Sequence, residues 1–500
     1  MRSCLRPWFL CYSTLSRSRH VLSHTRRAAS GWAANTWGEA DRHEGWRGAN
    51  WGGNVRWVGA SVAEPASMAE LQETVAKARR IRAIGSAHSF TPLVSAGPER
   101  EPAASLVSLR CMPRVCELDE PNKRLTVDAG ATFSEVCAYL AGTSLALPNT
   151  ASLPHFSVAG AVATGTHGSS GMGVDGRLLL SGLADAVAAI ELVGPSGELR
   201  WVAEGDADFD AAVVSLGLLG IASRVTLKLV PTFKVRQRVY GGWPPAEAVG
   251  YAWEAGGLDG VLASLPEAMA TCTSFSAFVN WSVDDVGMLI LRDAIRSGDP
   301  PPPPPPTSWR GAQLRFAPVD GFLEGYGSFA ATSTGPWHDK LHIWMKDAAP
   351  FGPQAAAELQ LEHFVPLRHA AEALERTKLV ASQWGSSLLY AEIRAVRGDG
   401  QLLSPYSCDA DEGFDTIAIT NGLCGSLGEK RVLAAAAVLE EALAPLRARP
   451  HWGKLSTVTP ERLDELYGER LARFRRVCAR VDAEAKFSNA HLDRMVLRRR

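Results

Sequence analysis

The 500-residue sequence lacks most of the signatures that would assign it at a glance. Its nine cysteines (4, 11, 111, 116, 137, 272, 408, 424 and 478) never form a C-x-x-C pair. Scattered and odd in number, they fit reduced thiols in a large enzyme and exclude a disulfide framework or a cysteine-based zinc site. Twelve histidines are present without an H-E-x-x-H or similar spacing, so no metal site is expected. A net charge of −1 argues against an electrostatic nucleic-acid binder. No apolar run approaches the length of a membrane span. The P-loop pattern and the G-x-S-x-G elbow are both missing, which removes those nucleotide-binding and hydrolase classes. The sequon Asn280-Trp-Ser lies in an apolar stretch and reads as incidental.

Acid is missing from the start of the chain until Glu39. Arg2, Arg6, Arg17, Arg19, Arg26 and Arg27 are spread through a Ser-rich segment there. Residues 1–38 therefore read as an organelle transit peptide or an extension outside the fold, with the mitochondrion as the expected address and the plastid as the alternative. The apolar run Trp8–Tyr12 is too short for a secretory core.

The remaining length exceeds a single core, so at least two domains are expected. From about Asn50 to Pro231 helices and strands alternate, which indicates an α+β or α/β unit. Ser67 with Glu70 and Thr132 with Glu135 read as capping boxes. The first opens a helix through Leu71, Val75 and Ala78; the second opens a helix at Phe133–Ala141. Strands are expected at Ile81–Ile84, Leu106–Leu109, Arg124–Asp128, Val187–Val193, Leu199–Ala203 and Ile221–Val230, with a helix at Phe209–Leu216. From 232 the texture turns glycine- and aromatic-rich. Seven prolines at Pro300–Pro306 give an extended surface loop. Helical patterns follow at Glu358–Val365, His369–Val380 and Ala434–Leu446, and a strand at Leu388–Val396. Glu461–Tyr467 and Arg470–Ala483 read as helices of a final segment, 451–500.

Two glycine-bearing stretches stand out. Gly85-Ser-Ala-His-Ser-Phe90 follows a strand, and Leu153–Gly171 carries glycines at 160, 165, 168 and 171 among Ser, Thr and His. Loops of this kind approach a ligand closely and form backbone nests for diphosphates. Neither is a G-x-G-x-x-G that follows a strand, so the NAD fingerprint is absent from them. Further on, Glu392 and Arg394 are two apart on a strand and point to one face. They form either a structural salt bridge or, with Lys454, the wall of a polar pocket for a hydroxylated substrate.

The motifs NWGGN at 50–54, GSAHSF at 85–90, ALPNTASLPHFSVAGAVATGTHGSSG at 146–171, GPWHDKL at 335–341, AEIRAV at 391–396, RPHWGK at 449–454 and KFSNAHLD at 486–493 carry a family likeness. With them the chain resembles the FAD-dependent oxidases of alditols and sugar-1,4-lactones, within the vanillyl-alcohol-oxidase flavoprotein superfamily. The LPH-x-SVAG and RPHWGK forms look most like the alditol branch. The resemblance implies an α+β protein: a two-subdomain FAD-binding domain at 50–231, an α+β substrate cap at 232–450 and a C-terminal segment closing the active site. It implies FAD contacts from Ile84, Gly85, Ser86, His88, Ser89, Ser157, Thr164, Gly165, Thr166, His167, Gly168 and Ile221, with His88 tied covalently to the flavin. It implies substrate contacts from Ser157, Glu392, Arg394, Thr420 and Lys454, of which Lys454, Arg394 and Glu392 serve catalysis. The expected partners are a polyol or sugar lactone and O2. The segments His342–Gly352 and Asp409–Asn421 depart from the family pattern, which leaves the pocket wall open to a different polyol or lactone.

Overall fold

Side-chain alternation decides the first half most plainly at Ile221–Lys228, where buried and half-buried residues take turns along an antiparallel strand. In the computed structural model the described residues are 48–57, 62–94, 105–173, 175–242, 257–282, 287–316, 331–342, 358–407 and 415–499. The transit-like residues 1–38 lie outside them, as do all of His342–Gly352 but His342 and the first part of Asp409–Asn421.

Ten strands come before residue 232: β1 (Val62–Ala63), β2 (Ile81–Ala83), β3 (Ser105–Val107), β4 (Cys116–Asp119), β5 (Arg124–Asp128), β6 (Leu145–Ala146), β7 (Val187–Val193), β8 (Leu199–Ala203), β9 (Ile221–Lys228) and β10 (Val230–Pro231). Eight of them build a small parallel sheet, β1-β3-β2, and a five-stranded antiparallel sheet, β4-β5-β9-β7-β8, while β6 and β10 pair with each other. The helix Met68–Lys77 is capped by the Ser67 side chain, though Glu70 reaches back to the Ala66 N–H. The helix Phe133–Leu140 has both arms of its capping box, Thr132 and Glu135. Phe209–Leu216, read as a helix from the sequence, holds only one turn, Phe209–Ala212. A turn takes over at Val213, and Leu216 and Gly217 take positive φ, which a continuing helix would not allow.

A second sheet of eight strands follows. Its members are β11 (Phe233–Gly242), β12 (Ser274–Val279), β13 (Gly287–Arg296), β16 (Ser333–Pro336), β17 (Glu358–Pro366), β18 (Leu388–Arg397), β19 (Asp415–Cys424) and β20 (Arg449–Pro450), in the order β16-β11-β13-β12-β18-β19-β17-β20. A hairpin of β14 (Ser308–Trp309) and β15 (Ala312–Gln313) sits beside it. Helices Gly257–Ala270, Ala370–Ala381 and Glu429–Leu443 cover one face and enclose a core with Phe275, Leu289, Leu361, Ile393, Ile419 and Leu439. The opposite face looks onto the first half. Strands β18 and β19 are covered on both faces and so are buried almost throughout, without polar alternation. Pro300–Pro306 is an extended, mainly exposed run outside the ladders, held by Arg236 on the Pro303 carbonyl and by the Tyr240 hydroxyl on the Pro306 carbonyl at 3.1 Å.

The expected helix at Glu358–Val365 is strand β17. Its Glu, Gln and Leu residues favour helix by intrinsic preference. Pairing with β19 on one side and β20 on the other overrides that preference.

The last segment returns to the first half. Leu463, Leu466, Tyr467, Leu471, Phe474, Val477 and Leu492 share a core with Phe133, Val162 and Leu218. Arg82 on β2 is buried and donates to the carbonyls of Leu93, Leu216, Gly217 and Phe487 at 2.6–3.1 Å. The Ile81 N–H donates to the Lys486 carbonyl at 2.9 Å.

Candidate active site

The loop after β2 is gripped from both ends of the chain. Asn50 donates to the Ser89 carbonyl and Asn54 to the Phe90 carbonyl, both at 2.8 Å. The Phe90 N–H donates to the Gly453 carbonyl at 2.8 Å, and the Thr91 hydroxyl to the Trp452 carbonyl at 2.6 Å. Ala87 takes φ 55° to make the bend, which its methyl-only side chain tolerates better than a larger one. His88 is thereby stacked on Trp51, with ring centroids 5.4 Å apart, and its Nε2 lies 2.8 Å from His155 Nε2. One of these two nitrogens must donate and the other accept, so the pair cannot be doubly protonated at that contact. Burial holds His88 well below the usual histidine range, with His155 and Lys454 adding to the effect. His155 is pushed down to about 4 by burial and by His342.

The Leu153–Gly171 stretch packs against this loop. Ser86 donates to the His155 carbonyl at 2.9 Å and receives the Ser157 N–H at 2.8 Å. Ser157 caps the short helix Val158–Ala163 by position only. Its hydroxyl lies 2.2 Å from where a Cβ on Gly85 would stand and 2.7 Å from one on Gly160. A side chain at either position would therefore make the Ser157 hydroxyl shift. Gly160 is open although Val158, Ala161 and Val162 beside it are buried. Thr164 and Thr166, also partly open, have hydroxyls 3.3 Å apart. Gly165 and Gly168 are buried, packed against Pro405 and Asn149, so the open edge consists of Gly160 and the Thr164 and Thr166 hydroxyls. Open backbone and hydroxyls of this kind fit the diphosphate of FAD, which needs close approach and neutral donors. Ile84 and Ile221 are core residues, 3% and 1% exposed, so they have backbone alone to offer a cofactor. His167, expected at the cofactor, instead points at the second sheet: its Nε2 is 3.0 Å from Glu362 Oε1, and its Nδ1 is 2.7 Å from the Gly168 carbonyl.

On the sheet face opposite this loop, strand pairing sets Glu392 across from Thr420, and Thr420 across from Glu362. Arg394 Nη2 donates to Glu362 Oε1 at 2.7 Å, while its Nε lies 3.5 Å from Glu392 Oε2. The Thr420 hydroxyl donates to the same Glu362 oxygen at 2.7 Å. Arg394 also reaches the Ser152 hydroxyl at 3.1 Å. Lys454 donates to Gln360 Oε1 and lies over the Phe90 ring, 5.3 Å from its centre. Thus Glu392, Arg394 and Thr420 share one network with the unforeseen Glu362. Lys454 joins the neighbouring group of Gln360, Tyr390 and Glu358. Gln360 and Glu362 were missed because β17 was read as a helix; once it is a strand, their spacing of two puts them on one face.

Burial works to raise the Glu362 carboxyl, but His167 and Arg394 hold it well below the usual carboxylate range. Burial lowers Arg394, and Glu392 and Glu362 more than reverse this. Burial lowers Lys454 against the pull of Glu362 and Glu358. Arg394, buried, and Lys454, half-buried, thus share a face with the carboxylates Glu362 and Glu392.

A first half bearing the glycine loops faces a sheet that carries the Glu362–Arg394 network, and likeness to known families identifies this arrangement as that of a flavin-dependent oxidoreductase. Residues 60–203 match the FAD binding domain family, and residues 357–495 match the D-arabinono-1,4-lactone oxidase family. The chain is 33% identical over 444 residues to an alditol oxidase of a Streptomyces species, covering 89% of this chain and 97% of that one. It is 27% identical to an L-gulono-1,4-lactone dehydrogenase of Mycobacterium tuberculosis, covering 89% and 98%. A cholesterol oxidase of Brevibacterium sterolicum shares the fold with a TM-score of 0.66 at 16% identity, covering 90% of this chain and 96% of that one. The chain belongs to the FAD-dependent family of alditol oxidases and sugar-1,4-lactone oxidases. Among the described residues no helix is long and apolar enough to cross a membrane.

Proposed function

We propose that this protein oxidises the primary hydroxyl of a sugar alcohol such as xylitol or sorbitol to the aldehyde, with O2 reduced to H2O2. FAD, bound by the Gly85–Phe90 and Ser157–Gly168 loops and tethered through His88, supplies the two-electron acceptor. The observation that carries this reading is the polar set on the sheet face: Arg394 and Lys454 stand with the carboxylates Glu362 and Glu392 and the Thr420 hydroxyl, so charged and neutral hydrogen-bonding groups are present and their formal charges cancel. That suits a neutral polyhydroxylated substrate, whose hydroxyls satisfy buried polar groups. Lys454 and Arg394 bind the reacting hydroxyl and stabilise its oxygen as it gains negative charge. Glu392 accepts a substrate hydroxyl or orients Arg394, and Ser157 stands between the cofactor loop and the substrate. His88, held neutral, keeps a nitrogen lone pair for the tether.

The match of residues 357–495 to the arabinonolactone oxidase family favours a second reading, oxidation of a sugar-1,4-lactone. The Arg-rich, acid-free start supports import into the mitochondrion, or into a plastid. The test is direct. Purified protein is denatured in acid, and xylitol, sorbitol and the gulono- and galactonolactones are assayed for peroxide. Yellow colour that stays with the acid-denatured wild type and washes out of His88→Ala supports the tether. Turnover of lactones alone overturns the polyol reading.

A further inference from the structure

We propose that Arg292 and Ser276 form a subsite for the hydroxyl groups of the substrate remote from the carbon that is oxidised. The proposal rests on the polyol reading above. Strand pairing places the two residues. Phe278 stands opposite Glu392, Ser276 opposite Ile290, Ser274 opposite Arg292, and Arg292 opposite Gln237. Directly opposed residues share a face, and so do residues two apart. Arg292 and Ser276 therefore lie on the same face as Glu392 and Arg394, the one that looks onto the cofactor half.

Their hydrogen bonding is incomplete. Arg292 is 3% exposed and Ser276 1%. Among the described residues Arg292 Nε donates to Gln237 Oε1 at 3.1 Å, yet its Nη2 finds no partner. The Ser276 hydroxyl has none, and neither does Glu392 Oε1. Buried polar atoms are nearly always satisfied, because leaving one unmade forfeits its hydration. Three such atoms on the face that carries the Glu362–Arg394 network are groups that a ligand completes. Burial pushes Arg292 down to about 10, and Glu392 is the main charge that counters this. The guanidinium thus has a carboxylate field nearby but no carboxylate bonded to it.

The open atoms specify the ligand. Arg292 Nη2 only donates, Glu392 Oε1 only accepts, and the serine does either. A hydroxyl both accepts and donates, so neighbouring hydroxyls satisfy all three. A carboxylate would suit Arg292 but oppose Glu392, and an apolar chain would satisfy none. Strand β13 lies two places from β18 in the sheet, and the register sets Arg292 two residues along from Arg394. Their Cα atoms therefore stand about 12 Å apart, a span that the two long side chains and an open-chain pentitol or hexitol between them can bridge. Glycerol is too short to meet Arg394 and Arg292 together.

The experiment compares kcat/KM for sorbitol, xylitol and glycerol, by peroxide release, in wild type, Arg292→Gln and Ser276→Ala. Loss of one charged hydrogen bond lowers the sorbitol-to-glycerol ratio roughly ten- to a hundred-fold in Arg292→Gln, and less in Ser276→Ala. The rise in Tm that sorbitol gives wild type shrinks in parallel. If Arg292→Gln does not fold, Arg292→Met, which removes the unpaired charge at similar volume, takes its place beside Ser276→Ala. Wild-type sorbitol turnover with a ratio unchanged within about twofold in the variants overturns the subsite alone. Wild-type turnover of lactones only overturns the polyol reading, and the subsite falls with it.

Discussion

Glu362→Gln gives the sharpest test of how the pocket is held. One oxygen of Glu362 receives Arg394 Nη2 at 2.7 Å and the Thr420 hydroxyl at 2.7 Å, and lies 3.0 Å from His167 Nε2. The side chain is 2% exposed. Glutamine keeps the shape and one acceptor but removes the charge, leaving Arg394 with only Glu392 at 3.5 Å as an anionic partner. Stripping a buried ion of its partner costs about 3–5 kcal/mol; the retained amide oxygen recovers part of it, so a loss of about 3 kcal/mol is expected. Arg394 also loses its alignment, and a displacement of about 1 Å at a reacting centre costs on the order of a hundredfold in rate. Guanidinium unfolding and steady-state peroxide release measure the two effects. The pH dependence adds a control. Because the folded carboxyl is held well below its unfolded value of about 4.3, its contribution is complete above that pH and is lost as pH falls toward the folded value. The gap between wild type and variant therefore stays constant from neutral pH to about 5 and closes only in stronger acid. A loss under about 0.5 kcal/mol with kcat/KM unchanged would refute the idea that this carboxylate organises the site.

Three further outcomes follow from other parts of the fold. Gly160→Ala adds a Cβ 2.7 Å from the Ser157 hydroxyl in the cofactor opening, while alanine favours the helix by about 1 kcal/mol. FAD content and visible absorbance should fall with apo-protein stability kept or raised; a fully loaded variant would contradict the cradle. Gly171→Ala meets the Cys272 carbonyl at 1.9 Å, backbone against backbone, and should lower stability by about 1–3 kcal/mol on thermal unfolding. His342 and His451 are buried, with values of about 4 and about 3. Their lowered values mean that the unfolded chain takes up protons first, so stability is full above about 6.5 and falls below it. The two cost about 4 kcal/mol between pH 7 and pH 5, seen as a falling Tm that His342→Gln partly flattens.

Local chemistry was legible in the sequence wherever neighbours decide it. Thr132 and Glu135 form the capping box that their spacing implies, and β5, β7 and β8 begin and end at the expected residues. Glu392 and Arg394 share a face because a strand alternates. What could not be read depends on partners far along the chain. Glu362 and Gln360 sit in a segment with helical composition that becomes a strand only because β19 and β20 flank it. His167 looks like part of a cofactor loop until the second sheet supplies its carboxylate. Arg292 has no local motif at all; its meaning comes from three pairings that bring it beside Ser276 and Glu392.

The contacts of Arg82 and Ile81 with Phe487 and Lys486 bear on how the enzyme is made. The strand that leads into the flavin loop takes its hydrogen-bond acceptors from 405 residues further on. At ribosomal speeds that interval lasts roughly 20–80 s. During it the glycine loops are already synthesised, but Arg82 lacks the Phe487 carbonyl and Phe90 lacks the Gly453 carbonyl. On the proposed binding of FAD by these loops, flavin capture is expected only after the last segment is made. A chain truncated before Lys486 should purify colourless, and a yellow truncation would refute this order.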